Sequence, residues 1–175
     1  SEVDEVIRRV EKSNKDVNDE NKRVIDRSKE LNREVNERNK EAIKRSRDLA
    51  DEVRRDRDRK KAEEMVRRIE ELHRETIKRT KEVNEEIERL HRETIKRTRE
   101  VLDENRRLAE RVVREVPNVE ERLREVVKRS EDNVRKVEED NRRVLEESTR
   151  NVKEVKERNE KVLEEIRKTL EDLER

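Results

Sequence analysis

Nine residues, LHRETIKRT, stand at positions 72–80 and again, letter for letter, at 90–98. An offset of 18 residues is five whole turns of an α-helix at about 100° per residue, so a position and its partner 18 later lie on one line along a straight helix. A strict heptad would wind the helix into a left-handed supercoil, whereas this pattern need not coil. The same spacing runs through the rest of the chain. Asn14, Val17, Asn18, Asn21, Ile25, Ser28, Leu31 and Val35 return as Asn32, Val35, Asn36, Asn39, Ile43, Ser46, Leu49 and Val53. Val126, Ser130, Asn133, Val134, Val137, Asn141, Val144 and Leu145 return as Val144, Ser148, Asn151, Val152, Val155, Asn159, Val162 and Leu163. Three segments therefore share one repeat.

On a helical projection the repeated positions of the first segment fill an arc of roughly 140°, and the positions outside it are almost all Lys, Arg, Glu or Asp. That is a core-facing stripe with a charged outer face. Composition alone would suggest disorder, since 58% of residues are charged, 26% are apolar and none is aromatic. The charge, however, is balanced at +1 and spread in both signs, and the remaining letters are those of long helices. Periodicity decides for helix.

Phase and caps divide the chain. Continuing one helix through RRDRDRKK would displace the second core arc from the first by roughly 140° and aim it at solvent. A turn near positions 55–60, centred near 57, removes the conflict, with Asp56 or Asp58 capping the next helix. The only proline, Pro117, marks the second turn, where Asn118 followed by Glu121 has the form of a capping box. Ser1 followed by Asp4 opens the first helix in a similar way. The expected elements are helix 1 over about 2–55, helix 2 over about 59–115 and helix 3 over about 119–175, each about 80 Å long. Short connections make neighbours antiparallel. The expected fold is all-α: one domain, 1–175, a long, nearly straight up-down-up three-helix bundle.

Folding about those turns predicts which residues share a height. Asn21 comes level with Thr94 and Asn141, Asn39 with Thr76 and Asn159, and Asn32 with Val83, Asn84 and Asn151. Polar positions thus meet polar positions. The residues expected in buried polar networks are Asn14, Asn21, Ser28, Asn32, Asn39 and Ser46 in the first segment. In the second they are His73, Thr76, Thr80, Asn84, His91, Thr94 and Thr98, and in the third Ser130, Asn133, Asn141, Ser148, Asn151 and Asn159. Leu and Ile of LHRETIKRT should pack, while His and Thr meet Asn and Ser from the other two helices. A buried amide or hydroxyl without a partner costs about 1–3 kcal/mol, so such networks penalise every register that breaks them.

Chemistry-bearing alternatives find little support. Without cysteine there is no disulfide, thiolate nucleophile or thiolate metal site, and without glycine there is no phosphate-cradling loop. His73 and His91 would lie about 27 Å apart on one helix, too far to share a metal ion. Their i+4 neighbours are Ile77 and Ile95, not carboxylates. No catalytic residue, metal ligand or cofactor is expected. Basic residues are matched almost one for one by acidic ones, 51 to 50, which leaves no basic stripe for nucleic acid. No apolar run is long enough to cross a bilayer, and no signal-like segment opens the chain, so neither membrane insertion nor secretion is expected.

The verbatim repeats, the interspersed Glu, Lys and Arg, the lack of aromatics, and the Asn, Ser, Thr and His set periodically within an apolar stripe together resemble de novo designed helical bundles with buried hydrogen-bond networks. The resemblance covers the whole chain, although such designs often carry glycine in their loops and this chain has none. It implies a structural scaffold whose polar core layers specify helix register, monomeric and requiring no partner. The alternative is a pH-responsive or self-associating helical module, which two histidines among so many polar core positions support only thinly.

Overall fold

The computed structural model describes residues 1–56 and 58–174, with the side chains of 173 and 174 left aside. The protein is a three-helix bundle: α1 (Glu2–Asp56), α2 (Arg59–Glu115) and α3 (Glu120–Glu174), of 55, 57 and 55 residues. The helix starts follow from side-chain chemistry. Ser1 Oγ accepts from the Asp4 amide at 3.3 Å while the Ser1 carbonyl takes the Glu5 amide, so Ser1 caps α1. Asp58 does the same for α2, its carboxylate accepting from the Lys60 amide at 3.0 Å and its carbonyl from the Ala62 amide. The centre of the first turn, expected near 57, lies outside the described residues.

The second turn departs from the capping-box expectation. Pro117 ends α2 because it has no amide hydrogen, and Asn118 takes φ 61°, the left-handed region. In a chain without glycine, asparagine is the residue that occupies this region at least cost. Helix α3 opens one residue later, where the Val119 carbonyl accepts from the Leu123 amide at 3.1 Å. Asn118 therefore serves the turn through its backbone, and Val119 is the cap residue.

The chain falls into two compact units, Ser1–Lys29 with Glu88–Glu146, and Glu30–Ile87 with Glu147–Arg175. In the first, Glu20 pairs with Arg97 and Ser28 with His91, so α1 and α2 run antiparallel. Arg99 with Glu138 and Arg106 with Glu131 set α3 antiparallel to α2, and Arg122 with Asp4 together with Asn141 with Asn21 set it parallel to α1. The apolar part of this unit packs beside the second turn, where Val3, Val6 and Val10 meet Ala109, Val112, Val119, Leu123 and Val126.

In the second unit, Arg167 with Glu70 and Ser148 with Asn84 join α3 to α2 in the antiparallel sense, and Arg54 donates to Thr169 Oγ1 at 3.1 Å between α1 and α3. Its apolar cluster is Ala50, Ile69, Val162 and Ile166, with Ile43, Leu49, Leu163 and Leu170 against it. In the inter-helix ion pairs of both units the arginines are exposed, and each pair contributes at most about 1 kcal/mol.

Candidate functional site

Each unit holds a polar layer to which all three helices contribute. In the first, the layer centres on His91, with no exposed surface. Its Nε2 stands 2.9 Å from Ser28 Oγ of α1, and its Nδ1 is hydrogen-bonded to Asn141 Oδ1 of α3. The Asn141 amide donates onward to Asn21 Oδ1 at 2.6 Å and to the Val137 carbonyl at 2.5 Å. In the second unit, His73 occupies the corresponding place. Its Nε2 is 2.7 Å from Ser46 Oγ and its Nδ1 is bonded to Asn159 Oδ1, while Asn159 Nδ2 donates to Asn39 Oδ1 at 2.5 Å and to the Val155 carbonyl at 2.6 Å. Burial holds both imidazoles below their ordinary pKa, an effect opposed by the bonds to Asn159 and Asn141.

The threonines behave differently from the level rule. Thr76, Thr80, Thr94 and Thr98 donate to the carbonyls of Leu72, Thr76, Leu90 and Thr94, four residues back in their own helix. A threonine hydroxyl sits one bond from Cβ, within reach of the i−4 carbonyl, so its donor is satisfied locally. The imidazole three residues earlier is long enough to cross to both neighbours. Histidine, not threonine, therefore meets the asparagines.

Further polar contacts flank the layers. In the first unit Asn105 Nδ2 donates to Ser130 Oγ at 3.4 Å, and Ser130 Oγ donates to the half-buried Asn14 at 3.1 Å. Asn133 is half-buried and outside this set. In the second unit Ser148 Oγ donates to Asn84 Oδ1 at 2.6 Å. Asn32 and Asn151 are brought to the interior there, but the Nδ2 of each is buried without a hydrogen-bond partner.

Asn105, only 2% exposed, was absent from the sequence-derived set. A signal for it existed. It stands 18 residues after Ile87 and 36 after Ile69, which are 0% and 1% exposed, so the repeat itself marks the position as interior.

Among the described residues no cluster of His, Cys, Asp and Glu could hold a metal ion, and no helix is long and apolar enough to cross a membrane. No protein-family profile and no curated protein matches the chain. Among solved structures, a computationally designed three-helix bundle is similar in fold, with a TM-score of 0.50 over 99% of this chain and 92% of that one at 15% identity. In the arrangement of its helices the chain resembles a computationally designed three-helix bundle, and its own interior carries buried, hydrogen-bonded polar side chains.

Proposed function

We propose that the protein is a designed structural scaffold without a natural biochemical activity, and that its polar layers serve to specify helix register. The observation that carries this reading is the composition of the histidine layers. Each joins a side chain from every helix, and Ser28, His91 and Asn141 are fully buried, as are Ser46, His73 and Asn159 to within 0% exposure. A serine, a histidine and an asparagine in that order have the elements of a nucleophile, a base and an orienting group. A nucleophile without exposed surface reaches no substrate, so hydrolysis is not the role of this geometry. A slip of one turn would set each imidazole against mainly apolar neighbours and leave its ring nitrogens and the facing asparagine oxygens unpaired, at about 1–3 kcal/mol each, while the serine hydroxyls keep the carbonyls of their own helix.

The test is to replace both layers together with leucine, valine and alanine of matching volume. Higher resistance to urea with broadened or multiple amide resonances is the expected result, because polar layers exchange apolar burial for uniqueness. A replaced protein that keeps one sharp set of resonances would overturn the register role. We propose further that the chain is a monomer needing no partner, which light scattering at micromolar concentration checks.

The buried, neutral-favouring histidines support a second reading, a pH-responsive module. Cooperative loss of helix or a change of mass near pH 5, abolished by His73→Asn with His91→Asn, would select it over the scaffold.

A further inference from the structure

The hydrogen count in each histidine layer is fixed by its neighbours. Asn141 Nδ2 has two hydrogens and gives one to Asn21 Oδ1 and one to the Val137 carbonyl. Turning the amide over would set two oxygens against each other at Val137, so the orientation is determined and Oδ1 is the atom that faces His91 Nδ1. An amide oxygen only accepts; hence Nδ1 carries the hydrogen. In the neutral ring Nε2 is then bare, and Ser28 Oγ must donate to it. Yet the same hydroxyl, with one hydrogen, also lies 2.8 Å from the Val24 carbonyl of its own helix. Two acceptors compete for one donor.

The second layer repeats this conflict. Asn159 gives both amide hydrogens to Asn39 and the Val155 carbonyl, His73 Nδ1 faces its oxygen, and Ser46 Oγ lies between His73 Nε2 and the Ala42 carbonyl at 2.7 and 2.9 Å.

We propose that each histidine layer is a binding site for one additional proton, taken up on Nε2, and that its arrival turns the serine hydroxyl from the ring to the carbonyl of its own helix. In the neutral layer Oγ–H donates to Nε2 and Nδ1–H to the asparagine. In the charged layer Nε2–H donates to Oγ, Oγ–H donates to the carbonyl of Val24 or Ala42, and the bond from Nδ1–H is kept. No group loses a partner, and one bond is gained. The inference goes beyond the scaffold reading and does not depend on it.

No charged side chain belongs to either layer. At one-turn spacing, the charged neighbours of His91 and its partners are Glu88 on α2 and Glu138 on α3, both half-buried; for the His73 layer they are Glu70 on α2 and Lys156 on α3. On α1 the corresponding positions around Ser28 and Ser46 are all uncharged: Val24, Ile25, Leu31, Asn32, Ala42, Ile43, Leu49 and Ala50. Burial still disfavours the cation, but the layer meets it with two acceptors in place.

Two measurements on the full chain, labelled with ¹⁵N at histidine, test the proposal. Long-range proton–nitrogen correlations at about pH 8, where free histidine is neutral, should show hydrogen on Nδ1 and a bare Nε2 in both rings. Hydrogen on Nε2 in either ring would overturn it, and this arm needs no substitution. In the second arm, Ser28→Ala should lower the titration midpoint of His91 below that of the unaltered chain while leaving His73 in place, and Ser46→Ala should do the reverse. A serine acting only as donor to the neutral ring would stabilise that form, so its removal would raise the midpoint. A raised or unchanged midpoint overturns the hydroxyl rotation.

Discussion

Asn141 joins three groups in the first layer, and replacing it should expose how unevenly the layer's side chains contribute. Asn141→Leu leaves one nitrogen of His91 and the Oδ1 of Asn21 without partners, whereas the Val137 carbonyl keeps its helical bond. Two buried polar groups orphaned at about 1–3 kcal/mol each outweigh the roughly 1.5–3 kcal/mol gained by burying a leucine. The expected net loss is about 2 kcal/mol. Asn21→Leu orphans a single amide hydrogen of Asn141 against the same apolar gain, so it should lie within about 1 kcal/mol of the unaltered chain. In the double variant only the histidine nitrogen is left unpaired, so the costs of the Asn21 oxygen and of the Asn141 amide hydrogen both vanish; stability should recover above that of Asn141→Leu alone, with a coupling of about 2–6 kcal/mol. Urea denaturation followed by circular dichroism, with midpoints compared at constant slope, measures all three. Equal losses for the two single variants, or strict additivity in the double, would refute the hydrogen-bond assignment.

Asn32→Leu should stabilise the protein by about 1–3 kcal/mol in the same assay, because the buried Nδ2 of Asn32 has no partner to lose. A loss would show that this amide is paired in solution. Asn118→Gly should gain up to about 1 kcal/mol at the left-handed turn position, and Asn118→Ala should lose about as much; thermal midpoints decide. Because burial depresses the folded-state pKa of His73 and His91, the unfolded chain takes up protons first as pH falls below about 6.5. Stability is complete above that value and declines below it until the folded rings protonate, by at most about 1.4 kcal/mol per pH unit for each ring. The urea midpoint should therefore be lower at pH 5 than at pH 7.4 with the helices intact at room temperature, and a midpoint that rose in acid would contradict the sign.

Periodicity and punctuation carried the fold. An 18-residue offset, a phase break before position 60 and one proline are sufficient for three helices, because each acts locally on the backbone. Partner choice inside the layers depends on other quantities. Levels locate Cα atoms, but side-chain length decides who touches whom: Thr94 stands at the height expected for contact with Asn141, yet its short hydroxyl stays on Leu90, and His91 one turn earlier makes the bond. Asn118 illustrates the same point for the backbone. Its sequence context reads as a side-chain cap, yet the turn puts it in the left-handed region, which in a chain without glycine asparagine fills at least cost.

A perfect repeat would defeat the register role proposed for the polar layers. The sets Asn21, Ser28, His91, Asn141 and Asn39, Ser46, His73, Asn159 are chemically identical, so a slip of one helix by 18 residues could match like with like. Such a slip displaces a helix by about 27 Å, and the connections from Asp56 to Arg59 and from Glu115 to Glu120 are far too short to span it. Slips of one or two turns are compatible with connections that can fray, and those are the ones the networks penalise. The places where the repeat fails strengthen this division. Ser130 bonds to Asn14 and Asn105, whereas its counterpart Ser148 bonds to Asn84. Asn105 replaces the isoleucine found at the two preceding positions of its series, so the Asn14–Ser130–Asn105 set has no counterpart 18 residues away. On the proposed reading, removing it with Asn105→Ile and Ser130→Val would leave short slips forbidden and the turns as the sole determinant of the long one.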